Sequence, residues 1–534
     1  MTDHPQPDDA ENQLSPFTSP EVAQVRDEET IERESLSWGG RIAWIVVALV
    51  VTLMITVTAV FRAGEESRTE ATASDLFPIQ LQARTLVGHE NLMGKNSSSD
   101  EGQEDSDSGD EDAVDDDSDK KTKPSFSQSQ IPESLNDGTY EQRLCYVLLI
   151  RESRGPDEAA EKLNELDEAV EEAEFELNED QLRLRNIVGQ LISSHQQGDV
   201  DAAAVSEDDR EFLKEKLGWI GELGLAPEGT RNAETRKQLL ADASWSMGLM
   251  IGFTVLMIFM MMAGVVTLAV LAVLFATEKL RPAFVTHGKS VNIYIETFAI
   301  WLVVFFGGPR LIGYLFETFE HEPSLTVNMI IQVGFFFGSL IVLVYPWLRG
   351  IPLRQLFDDI GWKFKGGFVD LLVSPVNYIA GMPVMLCGLI CVLALTFLVS
   401  LFAAPKPFGT SIAAGHPIQD IITNGQWWSM MYIVLMACIA APIVEETMFR
   451  GVLYRHLREL SGDWARWGSV IFSALFNGLI FAAIHPQGFT AIPLLTVLAF
   501  NFSLAREWRD SLIAPVIMHG INNGAVTFFM FLMI

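Results

Sequence analysis

A chain of 534 residues that is 49% hydrophobic, with 34 Phe and 19 Met, and still carries a formal net charge of −32 must keep its charge apart from its apolar segments, because one soluble core holds no such mixture. A single soluble domain is excluded, and 69 acids against 37 bases exclude the basic surface that a nucleic-acid partner requires. Of the four cysteines, Cys387, Cys391 and Cys438 lie in apolar runs and Cys145 stands alone, so neither a disulfide framework nor a CxxC metal site is available.

Residues 1–41 are an acidic, polar tail. The apolar run 42–61 has the roughly 20 residues a membrane-spanning helix needs. It follows a tail too long for a signal-peptide n-region, and reads as an uncleaved anchor. Residues 62–137 read as an acidic, disordered linker, since SSSDEGQEDSDSGDEDAVDDDSD at 97–119 carries acids with no Lys or Arg and repels itself. It lacks the ligand spacing of an EF-hand. From 138 to 245 the pattern changes: AAEKLNELDEAVEEAEFEL and EDQLRLRNIVGQLI set Leu, Val and Ile at three- and four-residue spacing, as amphipathic helices do. This stretch is expected to be a soluble helical module able to contact a protein partner.

Further apolar runs follow at 246–277, 291–316, 325–347, 375–402, 428–449, 467–486, 488–505 and 511–534. The expected fold is an all-α polytopic membrane protein of about nine transmembrane helices, with an acidic extramembrane insert that is partly disordered and partly helical. Residues 246–290 hold the second transmembrane helix and its loop. Lys279, Arg281 and Lys289; Arg349, Arg354, Lys363 and Lys365; Arg455, Arg458 and Arg466; and Arg506 and Arg509 make every second loop basic. The loops with His321 and Glu322, and with His416 and Asp420, are poor in Lys and Arg. By the positive-inside rule the N-terminus is cytoplasmic and 62–245 is extracytoplasmic, in an integral, multi-pass protein of a bacterial plasma membrane.

The last 90 residues concentrate the chemistry. PIVEETMFRGVLYRHLREL places Glu445 and Glu446 after an apolar stretch, and a carboxylate at the bilayer centre costs at least about 2.5–3.5 kcal/mol. Glu446 has Arg450 four residues on, the favourable order for a helix ion pair. Glu445 has no such partner, and a carboxylate without a counter-ion in an apolar site is drawn toward the proton affinity of a general base. FAAIHPQG puts Phe481 and His485 on one helix face, and MHGINNG does the same for His519 and Asn523. Each of these polar groups taken singly also reads as interhelical glue. The mid-span residues Glu296 and Arg310 either line a cavity or snorkel.

Glu-Glu-x-x-x-Arg, Phe-x-x-x-His and His-x-x-x-Asn, in this order on successive membrane helices, resemble the three motifs of the CPBP family of intramembrane proteases, the CAAX prenyl endopeptidase and bacteriocin-processing group. The close resemblance covers roughly 430–534, making 291–534 the protease core. There is no HExxH, rhomboid GxSG or presenilin-type GxGD motif. The resemblance implies a membrane endopeptidase acting on a membrane-associated peptide or protein. Its catalytic residues are Glu445, Glu446, Arg450, His485, His519 and Asn523. Glu445, helped by His485, activates a water; His519 and Asn523 donate to the oxyanion; Glu446 and Arg450 hold the site. No cofactor is favoured, the rival being a zinc held by Glu445, His485 and His519. Two other classes remain open: a non-catalytic immunity or scaffold protein that uses these residues for helix packing, and a transporter with a proton relay, against which the absence of an inverted repeat counts. Straight upright helices place His485 at a different depth from Glu445 and His519, so tilt or breaks at Pro442, Pro486 and Pro515 must bring them level.

Overall fold

The computed structural model describes residues 35–65, 73–100, 131, 136, 138–199, 205–227, 232–286, 291–319, 323–363, 367–402, 408 and 427–532. The tail before 35, the acid run at 101–119, and Lys289, His321, Glu322, Lys365, His416 and Asp420 lie outside them. The described residues are helical throughout with no strand, and nine of their helices are long and apolar enough to cross a membrane. The chain divides into two compact units, Met1–Ala59, Met257–Phe402 and Trp427–Phe528 in one, and Val60–Leu256, Ala403–Gln426 and Phe529–Ile534 in the other.

The second unit is built around a bundle of helices. It contains α2 (Ala73–Asp100), α3 (Tyr140–Arg154), α4 (Pro156–Glu172), α5 (Glu179–Gln196) and α6 (Glu207–Gly224). Capping boxes at Thr139 with Gln142 and at Asn178 with Gln181 start α3 and α5, satisfying the open N–H groups of each first turn. Leu144, Leu163, Ile187, Leu191, Leu213 and Leu217 meet in one apolar core. Residues 73–100 correct the reading of 62–137 as linker: α2 puts Leu76, Ile79, Ala83 and Val87 into that same core. Their spacing of three and four residues is a helical stripe, obscured by the acid-rich composition that follows it. Phe408 packs on Phe175 at 4.7 Å between ring centroids and on Tyr140, and belongs to the same core.

The other unit holds most of α1 (Trp38–Glu65), the second half of α7 (Ala233–Ala276), and α8 (Val291–Thr318). Then come α9 (Leu325–Gly338), extended by turns to Leu348, a short α10 (Leu353–Ile360) and α11 (Phe368–Phe402). The last four are α12 (Trp427–Leu460), α13 (Arg466–Ala483), α14 (Ile492–Arg509) and α15 (Ile513–Leu532). Tyr294, Phe298 and Trp301 of α8 pack on Phe449 and Val452 of α12, beside Ala43 and Val47 of α1. Trp44 donates its indole N–H to His456 Nε2 at 3.1 Å, tying the anchor helix to α12.

Four arginines that the sequence places in loops are helical and paired instead. Arg455 and Arg458 belong to α12, Arg506 and Arg509 to α14. Arg455 binds Asp359 and Glu459, Arg458 binds Glu507, Arg506 binds Asp510, and Arg509 binds Asp370, at 2.6–3.0 Å. With Lys363 on Asp510, five cations meet five carboxylates. The Phe284 ring lies 4.8 to 5.9 Å from the guanidinium carbons of Arg455, Arg458 and Arg506. Glu296 is paired as well, with Arg349 and with the Tyr345 hydroxyl at 2.7 Å, while Arg310 bonds the Phe306 carbonyl of its own helix.

Candidate active site

Pro442 shapes the helix that carries Glu445. In α12 the turns Met436–Ala440 and Thr447–Leu453 are π-helical, a form that appears mostly as local bulges at functional sites. The Ala441 N–H bonds Met436 O, five residues back. The next residue in that register is Pro442, which has no N–H, so the Ala437 carbonyl is left without a backbone donor. Asn523 Nδ2 supplies one at 2.8 Å. A proline three residues before Glu445 thus docks the His519–Asn523 helix against it. Gly520 permits the approach, since a Cβ there would stand 2.9 Å from Cys438 O. The second π turn is served similarly, with Asn477 Nδ2 donating to Phe449 O at 2.8 Å.

Pro486 ends α13, and His485 sits just past the last turn. Its Nδ1 lies 2.6 Å from the Phe481 carbonyl, four residues back. A carbonyl only accepts, so that nitrogen carries the hydrogen, the ring caps an open helix carbonyl, and Nε2 is left as a bare acceptor. His485 Nε2 lies 3.8 Å from Glu445 Oε2.

His519 approaches from α15. Its Nδ1 is 2.8 Å from Glu446 Oε1 and its Nε2 is 3.9 Å from Glu445 Oε2. Glu446 is fully buried and also accepts from Arg450 Nη1 at 2.9 Å, so it joins Arg450 to His519, a link the spacing alone does not reveal. Arg450 bonds the Ala499 carbonyl at 3.2 Å. Its guanidinium carbon lies 4.7, 5.3 and 5.9 Å from the rings of Phe481, Phe502 and Phe449, a desolvated cation–π setting. Glu445 Oε2 is buried and makes no hydrogen bond among the described residues.

The structure therefore brings Glu445, Glu446, Arg450, His485, His519 and Asn523 to one place. The difference in depth closes because α12 continues to Leu460, so Arg455 is not a loop residue and does not mark the membrane edge. Three participants carry no motif. Phe502 stacks on His519 at 5.3 Å, Asn522 donates to Asn523 Oδ1 at 3.1 Å, and Tyr378 donates to Asn522 at 3.2 Å. Asn522 stands next to a motif residue, while Phe502 and Tyr378 lie among many apolar residues and give no signal of their own.

The Glu445 carboxylate oxygen stands 3.8 Å from His485 Nε2 and 3.9 Å from His519 Nε2, against about 3.3–3.5 Å between two ligands of a tetrahedral zinc. No group of three or more His, Cys, Asp or Glu has metal-holding geometry among the described residues.

Residues 426–525 match the family model for the type II CAAX prenyl endopeptidase Rce1-like proteins. Over 100 residues, 18% of this chain and 39% of the relative, the chain is 33% identical to the membrane-embedded CAAX protease MroQ of Staphylococcus aureus (strain USA300). Over 116 residues, 21% of this chain and 47% of the relative, it is 31% identical to an uncharacterized 24.3 kDa protein of Escherichia coli. The chain thus spans less than half the length of these curated relatives. No solved structure matches.

Proposed function

We propose, from a C-terminal segment that belongs to the CPBP family, that this multi-pass membrane protein is an endopeptidase in which Glu445 activates a water to attack a peptide bond at or near the membrane. The observation that carries this reading is the convergence of two acceptors, Glu445 Oε2 and His485 Nε2, 3.8 Å apart. A water that donates one hydrogen to each is held with its lone pair free for a carbonyl carbon, and Glu445 takes the proton as the bond forms. His519 has one nitrogen left, since Nδ1 is engaged by Glu446. That open Nε2 is assigned to the oxyanion as a hydrogen-bond donor. Asn523 keeps one amide hydrogen after bonding Ala437. Substrates of this reading are membrane-associated peptides or protein tails.

The metal question has its own test. Exhaustive chelation of the purified protein is expected to leave peptide turnover unchanged, with elemental analysis finding zinc well below one per chain. Loss of turnover restored by zinc would make Glu445, His485 and His519 a ligand set.

Orientation is part of the proposal: a cytoplasmic N-terminus and an extracytoplasmic module in a bacterial plasma membrane. Exposed Lys279, Arg281, Arg349, Arg354 and Arg466 support it, since they keep the alternation without the buried arginines. Native Cys145 is fully buried and reports nothing. A Glu171→Cys variant, on an exposed position of α4, should react in whole cells with a membrane-impermeant maleimide; labelling only after lysis reverses the topology.

A further inference from the structure

A chain of hydrogen bonds crosses three helices beside the site. The Tyr378 hydroxyl of α11 lies 3.2 Å from Asn522 Oδ1 on α15, Asn522 Nδ2 lies 3.1 Å from Asn523 Oδ1, and Asn523 Nδ2 lies 2.8 Å from the Ala437 carbonyl of α12. Consecutive residues of a helix point about 100° apart, so Asn522 and Asn523 reach different neighbours, Tyr378 and Ala437. On the Asn523 side the two helices approach closely. A Cβ on Gly520 would stand 2.9 Å from Cys438 O, and one on Gly524 3.9 Å from Cys438 Sγ.

The direction of every bond follows from the last one. A carbonyl only accepts, so Asn523 presents its NH2 end to Ala437 and its oxygen to Asn522. Asn522 answers with its own NH2 end, which leaves its oxygen to the Tyr378 hydroxyl as donor. The Asn523 amide is thereby held at both ends. A bond to Ala437 alone would leave the amide plane free to turn about that contact; the bond at Oδ1 fixes the plane, and with it the direction of the remaining N–H. A donor on Oδ1 also polarises the amide and strengthens that N–H.

We infer that Tyr378 and Asn522 are positioning residues for the oxyanion, acting through Asn523 to aim and polarise its free N–H. The inference rests on the reading in which Asn523 donates to the oxyanion. A donor aimed beforehand needs no reorganisation as charge develops, so the benefit falls on the transition state and not on substrate binding. The same bonds, if they served only to tie α11 to α15, would leave the chemical step alone, and kinetics separates the two roles.

The test measures kcat and KM of the full chain in nanodiscs, on one quenched-fluorescence peptide picked from a random library by wild-type cleavage, with thermal unfolding followed alongside. Asn523→Ala should lower kcat about 10²- to 10³-fold. Asn522→Leu should lower it about tenfold and Tyr378→Phe about threefold, the effect fading along the chain as single hydrogen bonds are lost. KM should stay unchanged in each, since the lost interaction belongs to the transition state. Added to Asn523→Ala, Tyr378→Phe should slow turnover no further, because the group it orients is gone. If Asn522→Leu does not fold, Tyr378→Phe, which removes a single oxygen, carries the test with its double variant. Tyr378→Phe at wild-type kcat, the same loss repeated in the Asn523→Ala background, or a change confined to KM or unfolding temperature overturns the inference and leaves the Asn523 assignment standing. Full turnover by Asn523→Ala overturns that assignment, and the inference with it.

Discussion

Glu445→Gln is expected to bring peptide cleavage to background while the protein still folds, because the change keeps the shape of the side chain and removes only its ability to accept a proton. A general base contributes roughly 10²- to 10⁴-fold, and no second carboxylate replaces it. Glu446 Oε1 lies within 2.9 Å of both Arg450 and His519 and is fully buried. Since Glu445 Oε2 makes no hydrogen bond among the described residues, the amide disturbs no existing bond, and thermal stability should stay close to wild type. The measurement is turnover per folded molecule in nanodiscs. A Glu445→Gln protein with normal turnover would sink the mechanism and favour the reading in which these residues only pack helices.

Arg450→Ala is expected to act on the fold. The side chain is wholly buried, binds Glu446 and the Ala499 carbonyl, and is enclosed by three aromatic rings. Removing one partner of a buried pair typically costs about 3–5 kcal/mol, because the other charge is stranded, and the cation–π contacts go with it. A large fall in unfolding temperature, or loss of folded protein on extraction, should appear in a thermal-shift measurement made beside Glu445→Gln. Arg450→Ala with unchanged stability would mean that Glu446 is held chiefly by His519.

Much of this arrangement is legible in the residues. Nine apolar runs of spanning length point to nine membrane helices, and the three spaced motifs point to the six residues that the structure gathers within one site. What is not legible depends on neighbours distant in the chain. The partnership of Glu446 with His519 crosses 73 residues, and no helical spacing encodes it. The four arginines read as loop charges look alike in sequence whether solvated or buried; only the packing of Asp359, Asp370, Glu507 and Asp510 around them decides. Helix α2 was hidden for a different reason: four apolar residues suffice to seat it in a core, too few to offset the composition around them. The first π turn of α12 ends beside Pro442, but proline alone does not say whether a helix kinks, stops or widens.

The five-against-five charge cluster bears on how the protein is made. Arg458 leaves the ribosome 49 residues ahead of Glu507, the carboxylate it pairs with, and until α14 follows, α12 carries that guanidinium without its carboxylate. Asp359 and Glu459 are already in place for Arg455, but Asp510 must follow before Arg506 has its carboxylate partner. Helix α12 therefore gains a settled seat only when α14 and the turn beyond it have been synthesised, and the closing stretch of the chain enters the membrane as a cohort, with the helix that bears Glu445 waiting on residues translated after it.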